Sequence, residues 1–250
     1  MTLSADLSGR TALITGASSG LGAHFARLLS NNGARVAMGA RRRDRLDALA
    51  AEIGKSAAAI TMDVAREADV IAGFDEANAA FGTIDTVIAN AGIDGAGPIT
   101  EMDEDAIERT LAINLKGAIL TAREAARRMI AGRVENGRIV MVASVTAFEP
   151  SPGLVAYSAS KAGVVQAARS MAREWARHGI CINTISPGYI RTPINDDWFE
   201  TDAGRKQIAR FPRRRLMAPD GLDGPVLFLC SDAAQFVTGA DFVLDDGQTL

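Results

Sequence analysis

Short runs rich in Val, Ile and Ala recur along the chain, and most are followed by a longer segment whose apolar residues return every three to four positions. A continuous apolar run has no side suited to solvent, so it fits a strand covered on both faces, and the periodic segments fit the helices that cover it. That alternation restricts the chain to an α/β architecture in which helical crossovers join parallel strands. Runs at 11–15, 35–40, 57–62, 86–90, 138–144, 181–186 and 242–246 predict a seven-stranded parallel sheet. Helices are predicted at about 20–32, 43–53, 66–80, 103–131, 155–178 and 221–231, the fourth opened by Asp103 as N-cap. One stretch, 192–219, breaks the alternation. A connection of that length within a compact domain is more often a functional flap than filler.

Of the 250 residues, 48% are hydrophobic, enough to bury the core of one doubly wound domain spanning 1–250. Acidic residues number 30 and basic residues 27, and a net charge of -3 gives no global field for nucleic acid or an anionic membrane. "MTLSADLSGR" has neither a basic start nor an apolar signal core, and no run approaches a membrane span, so the expected location is cytoplasmic. Cys181 and Cys230 sit inside apolar runs and read as small buried hydrophobes. His24 falls within a predicted helix and His178 at a helix end, so no metal site is expected.

Directly after the first run comes "TGASSGLG", Thr15 to Gly22. Glycines at 16, 20 and 22 allow a sharp turn, a close approach to a ligand and entry into a helix whose free amides bind an anion. The turn has the form of a pyrophosphate site in a Rossmann-type domain. Its spacing, GxxxGxG, differs from the GxGxxG fingerprint, and a purely structural glycine turn is the alternative. About twenty residues on, where an acid would accept the adenosine ribose hydroxyls, the sequence reads "GARRRD": Ala40 followed by Arg41, Arg42 and Arg43. A carboxylate would repel a ribose 2′-phosphate, whereas a guanidinium pairs with it, so this pattern favours NADP(H). The alternative is a solvated basic helix start.

Further along, "AYSASKAG" places Tyr157 and Lys161 four residues apart on one helical face. With "TGASSGLG", "MDV" at Met62 to Val64, "ANAG" at Ala89 to Gly92, "LAINLKG", "VMVASV" and "SPGYIRTP", the chain resembles the short-chain dehydrogenase/reductase superfamily over nearly its whole length. The resemblance implies a catalytic tetrad of Asn114, Ser144, Tyr157 and Lys161, with Ser144 at the family's usual thirteen residues before the tyrosine. It implies a cofactor site at Gly16, Ser18, Ser19, Gly20, Leu21 and Gly22, continued by Arg41, Arg42, Asp63 and Val64. Asn90, Ala91 and Gly92 follow, then Tyr157 and Lys161 again, and finally Pro187, Gly188, Ile190 and Thr192. Ala89 replaces the first Asn of the family's NNAG element, which puts one sheet-supporting hydrogen bond in doubt.

In such a tetrad Tyr157 would act as general acid and base between a ketone and a secondary alcohol. A free phenol has a pKa of about 10, and a unit positive charge about 4 Å away at moderate dielectric is worth roughly 4 kcal/mol, so Lys161 is expected to draw Tyr157 toward working pH. Ser144 would hold the substrate oxygen, and Asn114 would anchor a water chain leading to Lys161.

Ile93, Ser144, Phe148, Leu154 and Tyr189, with Ile194, Trp198 and Phe199 from the flap, are candidate pocket residues. Their apolar walls suit a hydrophobic carbonyl substrate of moderate size, although they could equally pack in the core. Two rivals stand: a 3-oxoacyl thioester reductase acting on a carrier protein, with Arg127, Arg128 and Arg173 as a docking face, and a cofactor-sensing protein without turnover. The resemblance implies a homotetramer, or else a dimer, with the tail "DFVLDDGQTL" as an interface element. In that tail Asp246 stands where relatives carry glycine.

Overall fold

Every residue of three central strands, β1 (Thr11–Thr15), β4 (Thr86–Ala89) and β5 (Arg138–Val142), is buried. The computed structural model describes residues 5–192 and 195–250. With β2 (Arg35–Ala40), β3 (Ala57–Thr61), β6 (Cys181–Pro187) and β7 (Asp241–Leu244), these strands form one seven-stranded sheet in the order β3-β2-β1-β4-β5-β6-β7. All its pairings are parallel. Strand alternation distributes side chains between two cores. Leu13, Val87, Ile139 and Met141 join one, while Ile14, Ile88, Val140 and Val142 join the other.

The first core is covered by α3 (Glu67–Phe81), α5 (Gly117–Ala131) and α6 (Val155–Trp175), and the second by α1 (Gly20–Asn31), α2 (Arg43–Ile53) and α9 (Asp223–Cys230). Because β1 lies between β2 and β4, the chain winds outward in opposite directions from it, and a crevice opens beyond the carboxyl ends of β1 and β4.

Two segments depart from the sequence reading. The single helix expected over 103–131 is α4 (Glu104–Leu111), a π-helical turn at Ala112–Lys116, and α5. Asp103 does cap α4, accepting a 2.7 Å bond from the Ala106 amide. The π turn carries buried Asn114, whose amide is fully engaged outside the helix, and insertions of this kind collect at functional sites. The stretch at 192–219 contains two short helices, α7 (Asp196–Glu200) and α8 (Asp202–Arg210). A bridge between Ile190 and Met217 closes its base.

Cys181 and Cys230 are buried and free, and the described residues contain no cluster of metal-ligating side chains. No described helix is long and apolar enough to cross a membrane.

Candidate active site

The crevice is a cleft of about 980 Å³. At one end the β1–α1 turn is held by contacts that leave no room for a side chain. Gly16 has φ 71°, and a Cβ there would stand 2.8 Å from the Ala91 Cα. A Cβ on Gly22 would stand 2.5 Å from the Gly16 carbonyl oxygen and 2.7 Å from Asn90 Nδ2. Gly22 therefore shapes the turn from behind, while Gly16, Ser18, Ser19, Gly20 and Leu21 line the cleft. Asn90 ties the turn to β4, its side chain donating to the Thr15 carbonyl at 3.0 Å and its amide to Thr15 Oγ1 at 3.1 Å. With Ala89 paired to Met141 in the sheet, the substitution in "ANAG" leaves this link intact.

Ala40, Arg41 and Arg42 line the same end, as do Asp63, Val64, Ala91 and Gly92. Arg42 reaches back to the turn and donates to Ser18 Oγ and Ser19 Oγ, both at 2.8 Å. Arg43 turns away to Asp47 and Glu76. Pro187, Gly188, Ile190 and Thr192 close the opposite wall.

In the middle, β5 delivers Ser144 and the first two turns of α6 deliver Tyr157 and Lys161. Thr146 orients Ser144, donating to its Oγ from Oγ1 at 3.1 Å and from the backbone amide at 3.2 Å. Lys161 Nζ donates to the Val142 carbonyl at 2.8 Å and lies 5.5 Å from the centre of the Tyr157 ring. Asn114 does not reach the cleft surface. Its Nδ2 donates to the Ile93 carbonyl and its Oδ1 accepts from the Ile93 amide, both at 2.8 Å, and Nδ2 also donates to Ser160 Oγ at 3.2 Å. It thereby fastens the loop after β4 to α6.

The expected electrostatics of Tyr157 are corrected. Burial against the cleft walls raises its phenol to about 12, the Ser144 hydroxyl opposing this and Asp94 and Tyr189 adding to it. Burial also lowers Lys161 to about 8. The ammonium points at a carbonyl beneath the ring and its own charged form is disfavoured, so the protein's groups alone do not draw the phenol toward neutral pH.

Of the proposed pocket residues, Ile93, Ser144, Leu154, Tyr189, Trp198 and Phe199 line the cleft. Phe148 does not; it lies outside the lining and is 50% exposed, because the 3-10 turn after Ser144 carries it toward solvent. Ile194 lies outside the described residues. Sequence reasoning missed Asp94, Thr146 and Gln207 on the cleft wall and Gln248 behind it. Gln248 pairs with the backbone of Tyr189, accepting from its amide at 2.6 Å and donating to its carbonyl at 3.1 Å. Asp94 was open to detection, since it follows "ANAG" in the loop at a strand's carboxyl end. Asp246 occupies its non-glycine position at φ 54° and accepts 2.7 Å bonds from both Arg213 and Arg215.

Residues 10–203 match the short chain dehydrogenase family. The chain is 37% identical over 247 residues to a D-threitol dehydrogenase of Mycolicibacterium smegmatis, covering 98% of this chain and 94% of that one. A gluconate 5-dehydrogenase from Burkholderia cenocepacia, solved with NADP and tartrate, superposes with a TM-score of 0.92 at 34% identity, over 97% of this chain and 96% of that one. A 3-ketoacyl-(acyl-carrier-protein) reductase from Brucella melitensis, solved with NADH, gives 0.90 at 32% identity, over 98% and 100%. With its parallel sheet, its glycine-lined crevice and these full-length relatives, the chain belongs to the short-chain dehydrogenase/reductase family of nicotinamide-dependent oxidoreductases.

Proposed function

We propose that the protein is an NADP(H)-dependent oxidoreductase interconverting a ketone and a secondary alcohol, with Tyr157 as general acid and base. The observation that carries this reading is the convergence of Ser144, Tyr157 and Lys161 on one cleft beside the glycine turn. The residues fit a dinucleotide. The turn admits no Cβ at Gly16 or Gly22, and Ser19, the N-cap of α1, makes no side-chain bond to the helix's first amides, leaving them for phosphate. Ala40 offers no carboxylate to repel a 2′-phosphate, and Arg41 and Arg42 stand beside it to pair with one. NADP(H), when bound, supplies the hydride chemistry that no side chain offers.

The chain's own residues do the rest. Ser144, fixed by Thr146, hydrogen-bonds the substrate oxygen and sets its distance from Tyr157. Tyr157 is protonated at neutral pH, the form needed to donate a proton to the alkoxide oxygen as it develops. In the oxidative direction Tyr157 must instead accept the proton as a phenolate, a form that positive charge on Lys161 would favour. Asn114 acts at a distance by holding the loop that carries Ile93 and Asp94.

Ile93, Leu154, Tyr189 and Trp198 give the substrate end mainly apolar walls, supporting a carbonyl compound of moderate size. The described part of the 192–219 stretch, with α7 and α8, serves as the flap over it. The carrier-protein reading draws little support from its expected docking face, because Arg127 and Arg128 are both paired with Glu124. Exposed Val243 and Leu250 near the C-terminus support an assembled state, checked by light scattering of the purified protein. The reading as an enzyme is tested with a panel of ketones and secondary alcohols offered with NADPH and NADH. NADPH consumption with at least one ketone, exceeding that with NADH, is expected; no turnover with any pair would return it to a binding protein.

A further inference from the structure

The charged side chains of the cleft are unevenly placed. Among the described lining residues the cations are Arg41, Arg42 and Lys161, and the acids are Asp63, Asp94 and Asp197. Arg42 is bound to the glycine turn, and Arg41 and Asp63 stand at the ends of β2 and β3 on the same side. Lys161 is committed to the Val142 carbonyl beneath the Tyr157 ring. The substrate end is therefore left with two carboxylates, half-buried Asp94 after β4 and exposed Asp197 on α7. Pro193 and Ile194, which precede α7 in the chain and lie outside the described residues, carry no charge.

Neither carboxylate is neutralised among the described residues. The nearby Arg191 pairs instead with Asp196 and Glu200. Asp94 is also held in place, since Asn114 grips both backbone groups of the preceding Ile93. Its negative charge reaches Tyr157, where it favours the protonated phenol.

We propose that Asp94 is a specificity-determining residue that excludes anionic substrates and commits the cleft to an uncharged or cationic ketone or alcohol. This rests on the oxidoreductase reading with Tyr157 as proton donor. A substrate carboxylate entering the cleft would lose water, meet no cation at that end among the described residues and face the like charges of Asp94 and Asp197. An uncharged substrate suffers none of these costs. An acidic carrier protein would be repelled at the mouth in the same way, most strongly at low ionic strength.

The test uses two ketones of matched shape, 4-oxocyclohexanecarboxylate and 4-oxocyclohexanecarboxamide, assayed with the full-length protein and NADPH. In the wild type the amide should exceed the carboxylate in kcat/KM by about tenfold at low salt, with the gap narrowing as salt rises. Asp94→Asn should bring the two within about twofold, and Asp94→Ser checks that the change follows the lost charge and not a misfolded loop. A wild-type enzyme that prefers the carboxylate, or a ratio that neither variant moves, overturns the proposal. If neither ketone turns over, binding read from tryptophan fluorescence still decides it: equal affinity for the two compounds ends the charge filter, whereas loss of turnover alone counts against the enzymatic reading.

Discussion

The two ends of the cleft are built by different means. The glycine end is held by close backbone contacts, Gly16 against Ala91 and Gly22 against the Gly16 carbonyl, with the Asn90 side chain bonded across to the Thr15 carbonyl. The flap end has one such contact, Gly204 against the Trp198 carbonyl, and Phe199 and Phe211 packed on Tyr189, but its rim is joined by side-chain tips at the surface. Trp198 Nε1 donates to Gln207 at 2.7 Å, Arg191 spans Asp196 and Glu200, and Arg213 and Arg215 meet Asp246. Interlocked backbone tolerates not even a methyl group, whereas an exposed ion pair is worth about 0–1 kcal/mol and can be exchanged for another. The glycine turn therefore tolerates little change, whereas the surface pairs at the rim of the other end can be exchanged, with Tyr157 at the junction.

The sharpest way to separate the ends is Tyr157→Phe, which removes the transferable proton and keeps the ring. Turnover should fall by about a thousandfold or more while NADPH still quenches or shifts its fluorescence on binding. Substantial residual turnover would take the tyrosine out of the chemistry. Next in size is Gly22→Ala. The added Cβ must push the turn apart, so NADPH affinity should drop about a hundredfold and stability by roughly 1–3 kcal/mol. Wild-type affinity in titration calorimetry would mean that the glycine end is looser than its contacts imply.

Arg41→Ala tests the rim of the same end. A charge-assisted bond is worth roughly 1.5–3 kcal/mol, so kcat/KM for NADPH should fall about tenfold to a hundredfold with little change for NADH, and Arg42 masks part of the loss. Adding Ala40→Asp should then turn the preference toward NADH; an unmoved ratio would make these arginines a solvated helix start.

Lys161→Met probes the junction through pH. The folded lysine titrates near 8, below its ordinary 10.5, so between these values the unfolded chain binds more protons and wild-type stability rises with pH. Below pH 8 the full cost of the buried charge is present. The variant should therefore melt higher than wild type near pH 7, the advantage shrinking as pH climbs from 8 toward 10.5. Melting curves that stay parallel across this window would show that the ammonium is adequately solvated.

The smallest effects lie at the flap. Trp198→Ala should change relative kcat/KM among ketones by about threefold to tenfold and leave NADPH affinity alone, whereas Phe148→Ala, off the cleft, should change neither by more than about twofold. Equal effects from the two would erase the distinction between wall and surface.

Much of this molecule was written locally. Parallel strands covered on both faces must be continuously apolar, so "TALIT", "TVIA" and "RIVMV" announced themselves, and so did the glycines of a turn too tight for a Cβ. The spacing of Tyr157 and Lys161 likewise put both residues on one face of α6. Tertiary structure decided what depends on distant neighbours. Asn114 sits in a π turn because its amide is claimed by Ile93 from another loop. Phe148 and Phe199 look alike in sequence, yet one is exposed and the other buried against Tyr189. Asp94 lines the cleft without an ion-pair partner among the described residues, while Arg42 is bound to the glycine turn and Lys161 to the Val142 carbonyl. Periodicity and turn chemistry are properties of neighbouring residues and are legible from them, whereas burial, hydrogen-bond partners and local field are sums over segments that only folding brings together.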